Sequence, residues 1–263
     1  MQQIPVVILC GGQGTRMRGS TATKKELVEV GGRPILWHVM RIFSAHGFNR
    51  FVLTLGYRAE DIKRYFLEYE PLSRDFTLEV GNGRATPQLH GQAIHPTWQV
   101  TLVDTGLRTE KATRIAQVRS YLAGERFFVA YGDDVSDVDL SALVRFHQAH
   151  GKLATITAVQ VNLPYGIVEA DENGLATGFV ERPRLPYWIN GGFMLFESAV
   201  LEMMVAGNNV NLETEILPQL ADQGQLMIYR HTGFWQSMNT LKDTMILENI
   251  WRDNPPWKVW KDS

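Results

Sequence analysis

The stretch Ile4-Pro5-Val6-Val7-Ile8-Leu9-Cys10-Gly11-Gly12-Gln13-Gly14-Thr15-Arg16 decides how the rest of the chain is read. Ile4–Cys10 is an almost unbroken apolar run rich in β-branched residues, which suits a strand buried on both faces of a parallel sheet. Glycines at 11, 12 and 14 directly after such a strand let backbone approach a ligand and expose N–H groups. A triphosphate can be held by such a nest and the neighbouring cation Arg16. A tight turn needing positive φ is the other reading of the same glycines. Two familiar phosphate motifs do not fit. A dinucleotide fingerprint needs glycine at position 17, where Met17 stands, and a P-loop needs Gly-Lys-Ser/Thr, whereas Gly19 is followed by Ser20.

Outward from this loop, Pro34 suits a first helical turn, and Ile35–Phe43 continues with helical spacing. Phe51–Leu55 reads as a strand and Arg58–Tyr69 as a helix. Val100–Asp104, Phe127–Tyr131 and Leu153–Val159 read as strands, Leu140–His150 as a helix, and Glu213–Ala221 and Thr240–Trp251 as late helices. Such alternation implies β-α-β crossovers in an α/β fold with a doubly wound, mostly parallel sheet. Tyr165–Phe196 holds short strands separated by glycines, a smaller mixed-β part. Leu72–Thr97, with Gly81, Gly83, Pro87, Gly91 and Pro96, reads as a long loop or β-excursion and as a candidate oligomer contact.

A length of 263 residues suits one α/β domain with an appended part, roughly 1–150 and 151–263. The apolar fraction of 44% is enough to build a core, which excludes a disordered chain. With 26 basic and 28 acidic side chains, the net charge of −2 offers no single-sign field for nucleic acid or an anionic membrane. The lone Cys10 excludes a disulfide framework and suits a reducing compartment, the cytoplasm. No apolar run approaches the roughly 18 residues of a membrane span. His147 and His150 suggest no metal site and read as surface residues; Trp235, Trp257 and Trp260 read as packing anchors. Neither His-Glu-x-x-His nor Gly-x-Ser-x-Gly is present.

The loop continues into Lys24-Lys25 and then Leu27–His38 (Leu-Val-Glu-Val-Gly-Gly-Arg-Pro-Ile-Leu-Trp-His). With Gly-Gly-x-Gly-Thr-Arg before it, this resembles the sugar-1-phosphate nucleotidylyltransferases. Tyr165-Gly166, Phe179-Val180-Glu181-Arg182-Pro183, Trp188-Ile189-Asn190-Gly191-Gly192-Phe193, Gly233-Phe234-Trp235-Gln236 and Pro256-Trp257-Lys258-Val259-Trp260 are similar to its glucose-1-phosphate cytidylyltransferase branch. The likeness runs from Ile4 to Trp260.

The resemblance implies the nucleotidyltransferase fold and a reaction in which a sugar-1-phosphate oxygen attacks the α-phosphorus of a nucleoside triphosphate. CTP and glucose-1-phosphate are the favoured pair; another base or sugar, or a non-catalytic binding homologue, are the alternatives. It implies catalytic roles for Arg16, Lys25 and Asp133. The nucleotide would meet Leu9, Cys10, Gly11, Gly12, Gln13, Gly14, Thr15, Thr109, Arg114 and Gly132. Gly166, Glu181, Arg182 and Asn190 would hold the sugar phosphate. Asp133 and Asn239 would hold Mg²⁺, and the protein would be a homo-oligomer.

The chain departs from that pattern in named places. Lys24 and Glu26 replace prolines on either side of Lys25, and Asp134 replaces a glycine. Lys111-Ala112-Thr113-Arg114 stands for Thr-Gly-Gly-Arg, which bears on the identity of the base, and Arg182 stands for a lysine. Asn239 stands for an aspartate. Its amide carbonyl can still coordinate Mg²⁺, and it is equally a good N-cap for the helix starting near Thr240.

Overall fold

The computed structural model describes residues 4–12, 23–80, 86–91, 97–122, 124, 126–205 and 208–261. In chain order, β1 (Val6–Cys10) leads through the short pair β2 (Glu29–Val30) and β3 (Arg33–Pro34) to helix α1 (Ile35–Ala45). β4 (Arg50–Leu55) and α2 (Ala59–Leu72) follow, then β5 (Phe76–Thr77), β6 (Gln88–Leu89) and β7 (Gln99–Asp104). α3 (Lys111–Gln117) precedes β8 (Arg126–Tyr131), β9 (Asp134–Ser136) and α4 (Leu140–His150). Next come β10 (Ala154–Val159), β11 (Ile167–Ala170), β12 (Ala176–Val180), β13 (Ile189–Glu197) and α5 (Val200–Val205). A π-helical turn at Leu212–Ile216, α6 (Leu217–Asp222), β14 (Leu226–Arg230), β15 (Trp235–Ser237) and α7 (Leu241–Asp253) complete the order.

The central sheet has seven strands in the order β14-β10-β13-β8-β1-β4-β7. β1 pairs in parallel with β4 on one side and β8 on the other, β4 with β7, and β10 with β14. β13 runs antiparallel to both β8 and β10, so the sheet is mostly parallel, as the alternation of elements implies. The second half of the chain supplies β10, β13 and β14 to this same sheet.

β1 explains why the sheet is covered twice. Its residues alternate between two cores: Val6, Ile8 and Cys10 join one, and Val7 and Leu9 the other. The first face packs α1, Ile62 of α2, Leu140 and Leu143 of α4, and Leu247 of α7. The second packs Ala112 and Ile115 of α3, Val200 and Met204 of α5, and Leu217 and Leu220 of α6.

Pro34 is the N-cap of α1, its φ of −53° already helical in value. Ile35 to Phe43 are all buried, a run too wide for one amphipathic stripe. The sheet covers one side of the helix and the C-terminal segment the other. Trp260 meets Trp37 edge-to-face at 5.6 Å between ring centres, and Trp257 is wholly buried. His38 links the two sides. Its Nδ1 accepts from Trp257 Nε1 at 3.3 Å, so Nε2 carries the proton and donates to Val30 O at 2.8 Å.

Three local expectations change. The late helix expected over 213–221 divides into the π-turn and α6, because Pro218 lacks the N–H that a continuous ladder needs. α3, α5 and β14 also form, short elements that periodicity did not bring out. Finally, His147 is not a surface residue: it is fully buried, with Nδ1 2.8 Å from Thr155 Oγ1 and Nε2 3.0 Å from Glu197 Oε1. Leu140, Leu143 and His147 share the inward face of α4 at helical spacing.

Candidate active site

Chain order reverses its direction across the sheet at β1, with β4 and β7 on one side and β8 on the other. Ligands bind beyond the carboxyl ends of strands at such a switch point. A cleft of about 780 Å³ lies there, lined by Leu9, Gly11 and Gly12 at the carboxyl end of β1 and by Tyr131, Asp133 and Asp134 at and beyond that of β8. Lys25, Glu26, Thr109, Lys111, Arg114, Asn190, Trp235, Ser237 and Asn239 complete most of its wall.

Three residues expected to act together do meet. Lys25 Nζ forms an ion pair with Asp133 Oδ2 and donates to Asn239 Oδ1 at 2.9 Å. Asn239 is not the N-cap of α7. Thr240 caps it in a reciprocal box with Asp243, whose Oδ2 also accepts from Asn239 N at 3.0 Å. The Asn239 amide is therefore free to face the cleft, and its Nδ2 donates to Ser237 Oγ at 2.7 Å.

The donor set suits a hard divalent cation. A carboxylate and an amide oxygen converge on one ammonium, a cation already standing between them. Mg²⁺ is held by one or two protein oxygens with waters and substrate phosphates completing its shell, so two such donors are enough.

Lys24 and Lys25, adjacent in sequence, face different ways. Lys24 is 3% exposed, and its Nζ donates to Gly12 O at 2.6 Å and pairs with Glu26 at 3.2 Å. It therefore holds the entry to the glycine loop from beneath, whereas Lys25 faces the cleft. Burial pushes the Glu26 carboxyl up to about 7 against the opposing pull of Lys24. Cys10 is fully buried and Gly132 sits against its sulfur and Glu26, so both lie behind the cleft wall. Gln13, Gly14, Thr15 and Arg16 lie outside the described residues.

Arg114 is 5% exposed and ties together the carboxyl ends of three strands. Its guanidinium donates to Thr105 Oγ1 at 2.6 Å, Leu55 O at 2.9 Å and Gly11 O at 3.4 Å. A Cβ on Gly11 would fall 2.3 Å from the guanidinium carbon, so this arginine accounts for that glycine without a ligand. Thr109 turns its hydroxyl back onto Thr105 O at 2.5 Å.

On the far wall, Asn190 Nδ2 donates to Tyr131 Oη at 3.2 Å, and Tyr131 donates to Glu213 Oε1 at 2.5 Å. Lys111 pairs with the same carboxylate and lies 4.8 Å from the Tyr131 ring centre. Burial raises the Tyr131 pKa, with Glu213 adding to it, so the phenol stays a donor. Trp235 fixes this side by donating to Gly191 O at 2.8 Å.

Asn190 thus reaches the cleft, but the rest of the expected sugar set does not line it. Glu181 and Arg182 follow β12 on the β11–β12 hairpin, with side chains 60% and 65% exposed and paired at 3.4 Å. Gly166 is packed so that a Cβ would meet the Phe179 ring at 2.6 Å and Glu181 Oε2 at 3.0 Å. Sequence reading missed Lys24, Glu26, Lys111, Tyr131, Glu213 and Ser237 as parts of the cleft and its supports. Lys24, Glu26 and Lys111 were visible as charged departures beside a glycine loop and an arginine; Tyr131 and Ser237 carried no signal beyond lying next to named residues.

Residues 5–262 match the family described as nucleotidyl transferase. A probable glucose-1-phosphate cytidylyltransferase of Bacillus subtilis (strain 168) is 39% identical over 256 residues, covering 97% of this chain and 99% of its own. The glucose-1-phosphate cytidylyltransferase of Salmonella typhi is 40% identical over 259 residues, with 97% and 99% covered. HddC from Yersinia pseudotuberculosis, a solved structure, is similar in fold, with a TM-score of 0.70 at 20% identity over 95% of this chain and 100% of that one.

Proposed function

Because the chain belongs to the nucleotidyl transferase family, we propose that it joins a nucleoside triphosphate, CTP foremost, to a sugar-1-phosphate, glucose-1-phosphate foremost. The sugar phosphate's oxygen bonds to the α-phosphorus, and the bond to the β-phosphate oxygen breaks, releasing pyrophosphate. The attacking oxygen is already anionic near neutral pH, so no strong base is required. The barrier lies in gathering two polyanions in line, which falls to positioning and electrostatics.

The observation that carries this reading is Lys25 held between Asp133 and Asn239 in a cleft at the ends of β1 and β8. Lys25 supplies positive charge to the α-phosphate, and Arg16 to the β- and γ-phosphates. Asp133 and Asn239 would hold Mg²⁺, which when bound offsets phosphate charge. Leu9, Cys10, Gly11, Gly12, Gln13, Gly14, Thr15, Thr109, Arg114 and Gly132 shape the nucleotide side, Arg114 by fixing the strand ends. The resemblance gives Glu181 and Asn190 to the sugar hydroxyls, Arg182 to the sugar phosphate and Gly166 to the ring; of these, Asn190 lines the cleft as it stands. A homo-oligomer in the cytoplasm is part of the same proposal. Leu72, Leu78 and Val80, exposed in the 72–97 region, support that region as the contact, and light scattering on the purified protein tests it.

Pyrophosphate release from purified protein given Mg²⁺, a sugar phosphate and each nucleoside triphosphate in turn is the deciding experiment. CTP with glucose-1-phosphate is expected to be turned over fastest. Silence with all four triphosphates across a panel of sugar phosphates overturns the enzyme reading; binding without turnover favours a non-catalytic homologue.

A further inference from the structure

We propose that Tyr131 and Glu213 are positioning residues that lock the Asn190 amide as a hydrogen-bond donor, so that the sugar subsite takes a sugar-1-phosphate with a hydroxyl facing Asn190 and turns away its deoxy or amino counterpart. The inference rests on the function proposed above and deepens it by naming the class of sugar phosphate.

The chain of contacts starts at the head of β13. Gly192 N donates to Asn190 Oδ1 at 2.9 Å, which turns the amide oxygen back onto its own backbone. At the other end of the amide, Nδ2 donates to Tyr131 Oη at 3.2 Å. Tyr131 Oη in turn donates to Glu213 Oε1 at 2.5 Å, and Lys111 pairs with that same oxygen.

Each link fixes the direction of the next. A carboxylate paired with an ammonium only accepts, so the phenol proton is spent on Glu213 and the phenol oxygen is left to accept from Asn190. A backbone N–H only donates, so Gly192 claims the oxygen end of the amide. Both ends of the amide agree, and its orientation follows from its partners. Its NH₂ carries two protons, of which one goes to Tyr131 and the second is left for a ligand in the cleft that Asn190 and Tyr131 both line.

The supports are themselves held. Asn211 Oδ1 accepts from Glu213 N and Thr214 N, each at 2.9 Å, and so fixes the turn that carries the carboxylate. Gly192, at a φ of +80°, lies against the phenol ring, where a Cβ would fall 2.6 Å from Tyr131 Cδ2. An N–H presented in this way needs a lone pair. A sugar hydroxyl supplies one and a bare carbon does not. A protonated amine meets it with another donor, and with the Lys111 ammonium 4.8 Å from the same ring centre. A site built to hydrogen-bond its substrate rejects the analogue that leaves it unpaired.

The test follows pyrophosphate release from the full chain with the triphosphate and the sugar-1-phosphate it turns over fastest, and with each monodeoxy analogue of that sugar. In the unaltered protein, deoxygenation at one position is expected to lower kcat/KM about tenfold or more, and the amino sugar at that position to do no better. Tyr131→Phe keeps the ring against Gly192. It is expected to raise KM for the sugar phosphate about tenfold with kcat little changed, and to erase the cost of deoxygenation at that position alone. In Asn190→Ala the same change is expected to add nothing, because Tyr131 acts through that amide. The proposal is overturned if no position loses its deoxygenation cost in Tyr131→Phe, if all positions lose it alike, or if the amino sugar outperforms the deoxy one. Should Tyr131→Phe fail to fold, Glu213→Ala, which frees the phenol proton to turn toward Asn190, is read in the same way. If the unaltered protein releases no pyrophosphate with any triphosphate and sugar phosphate, the proposed function falls and this inference with it; turnover without the positional loss removes this inference alone.

Discussion

The cleft and the hairpin expected to complete it are built on opposite plans. On the nucleotide side, Lys24 and Arg114 are buried, and each is tied to a named backbone carbonyl. On the sugar side, the hairpin carrying Glu181 and Arg182 stands in solvent, with Tyr165, Val168 and Phe179 59–74% exposed. One side is pre-organised before any substrate arrives, and the other must acquire its contacts on binding. Changes on the first side should therefore register as lost rate or stability, and changes on the second as lost affinity alone.

The hardest blow to this contrast is aimed at Lys25. Lys25→Met should lower kcat by about 10²–10³, as removal of one oriented charge contact does, with the melting temperature little changed. Pyrophosphate-release kinetics check it, and a loss below tenfold would show that the tight side is not where charge stabilisation resides.

Acid is expected to loosen the packing of α1 against the C-terminal segment next. Burial lowers the His38 pKa from 6.5 to about 4. The stability this represents is fully present above pH 6.5, falls as the unfolded chain protonates first, and is gone below about pH 4. The loss is on the order of 3 kcal/mol. Urea unfolding at pH 7.5, 5.5 and 4 should show it as the part of the pH dependence that His38→Gln removes; His147, which burial also lowers to about 4, contributes in the same direction and remains.

Arg114→Leu should destabilise the fold by about 2 kcal/mol, through carbonyls at 11 and 55 and a hydroxyl at 105 that lose a charged donor. Thermal unfolding reads that change directly. The smallest effect is reserved for the open side. Arg182→Ala should raise KM for the sugar phosphate about tenfold, which is about 1.4 kcal/mol, while leaving stability and KM for the nucleotide where they were. A drop in melting temperature would instead give the hairpin a structural role and erase the contrast.

The parts of this picture that sequence makes legible are local. The β-branched run of β1 and Pro34 at the head of α1 each state their own conformation, and Asp133 follows from the end of a recognisable strand. What sequence hides is direction. Lys24 and Lys25 are chemically identical neighbours, and only the carbonyl of Gly12 and the carboxylate of Asp133, supplied from elsewhere in the chain, decide which one turns inward. Asn239 was readable as a cap or a ligand; Asp243, which completes a capping box with Thr240, gives the cap to Thr240 and leaves the Asn239 side chain to Lys25 and Ser237. His147 was misread for a different reason. Its spacing from Leu140 and Leu143 places it on the inward stripe of α4, but a histidine there needs Thr155 and Glu197 to accept burial, and both belong to other strands. The separation of Glu181 and Arg182 from the cleft is likewise a matter of where a hairpin is held, which no motif encodes.

The seating of Trp257 and Trp260 against α1 joins stretches of chain that lie far apart in sequence. Chains cut before position 257 would leave the Trp37–His38 side of α1 uncovered, an apolar surface open to chaperones or to clumping. A nick or substitution that disturbs those two indoles should therefore lower the yield of folded protein without touching a single residue of the cleft.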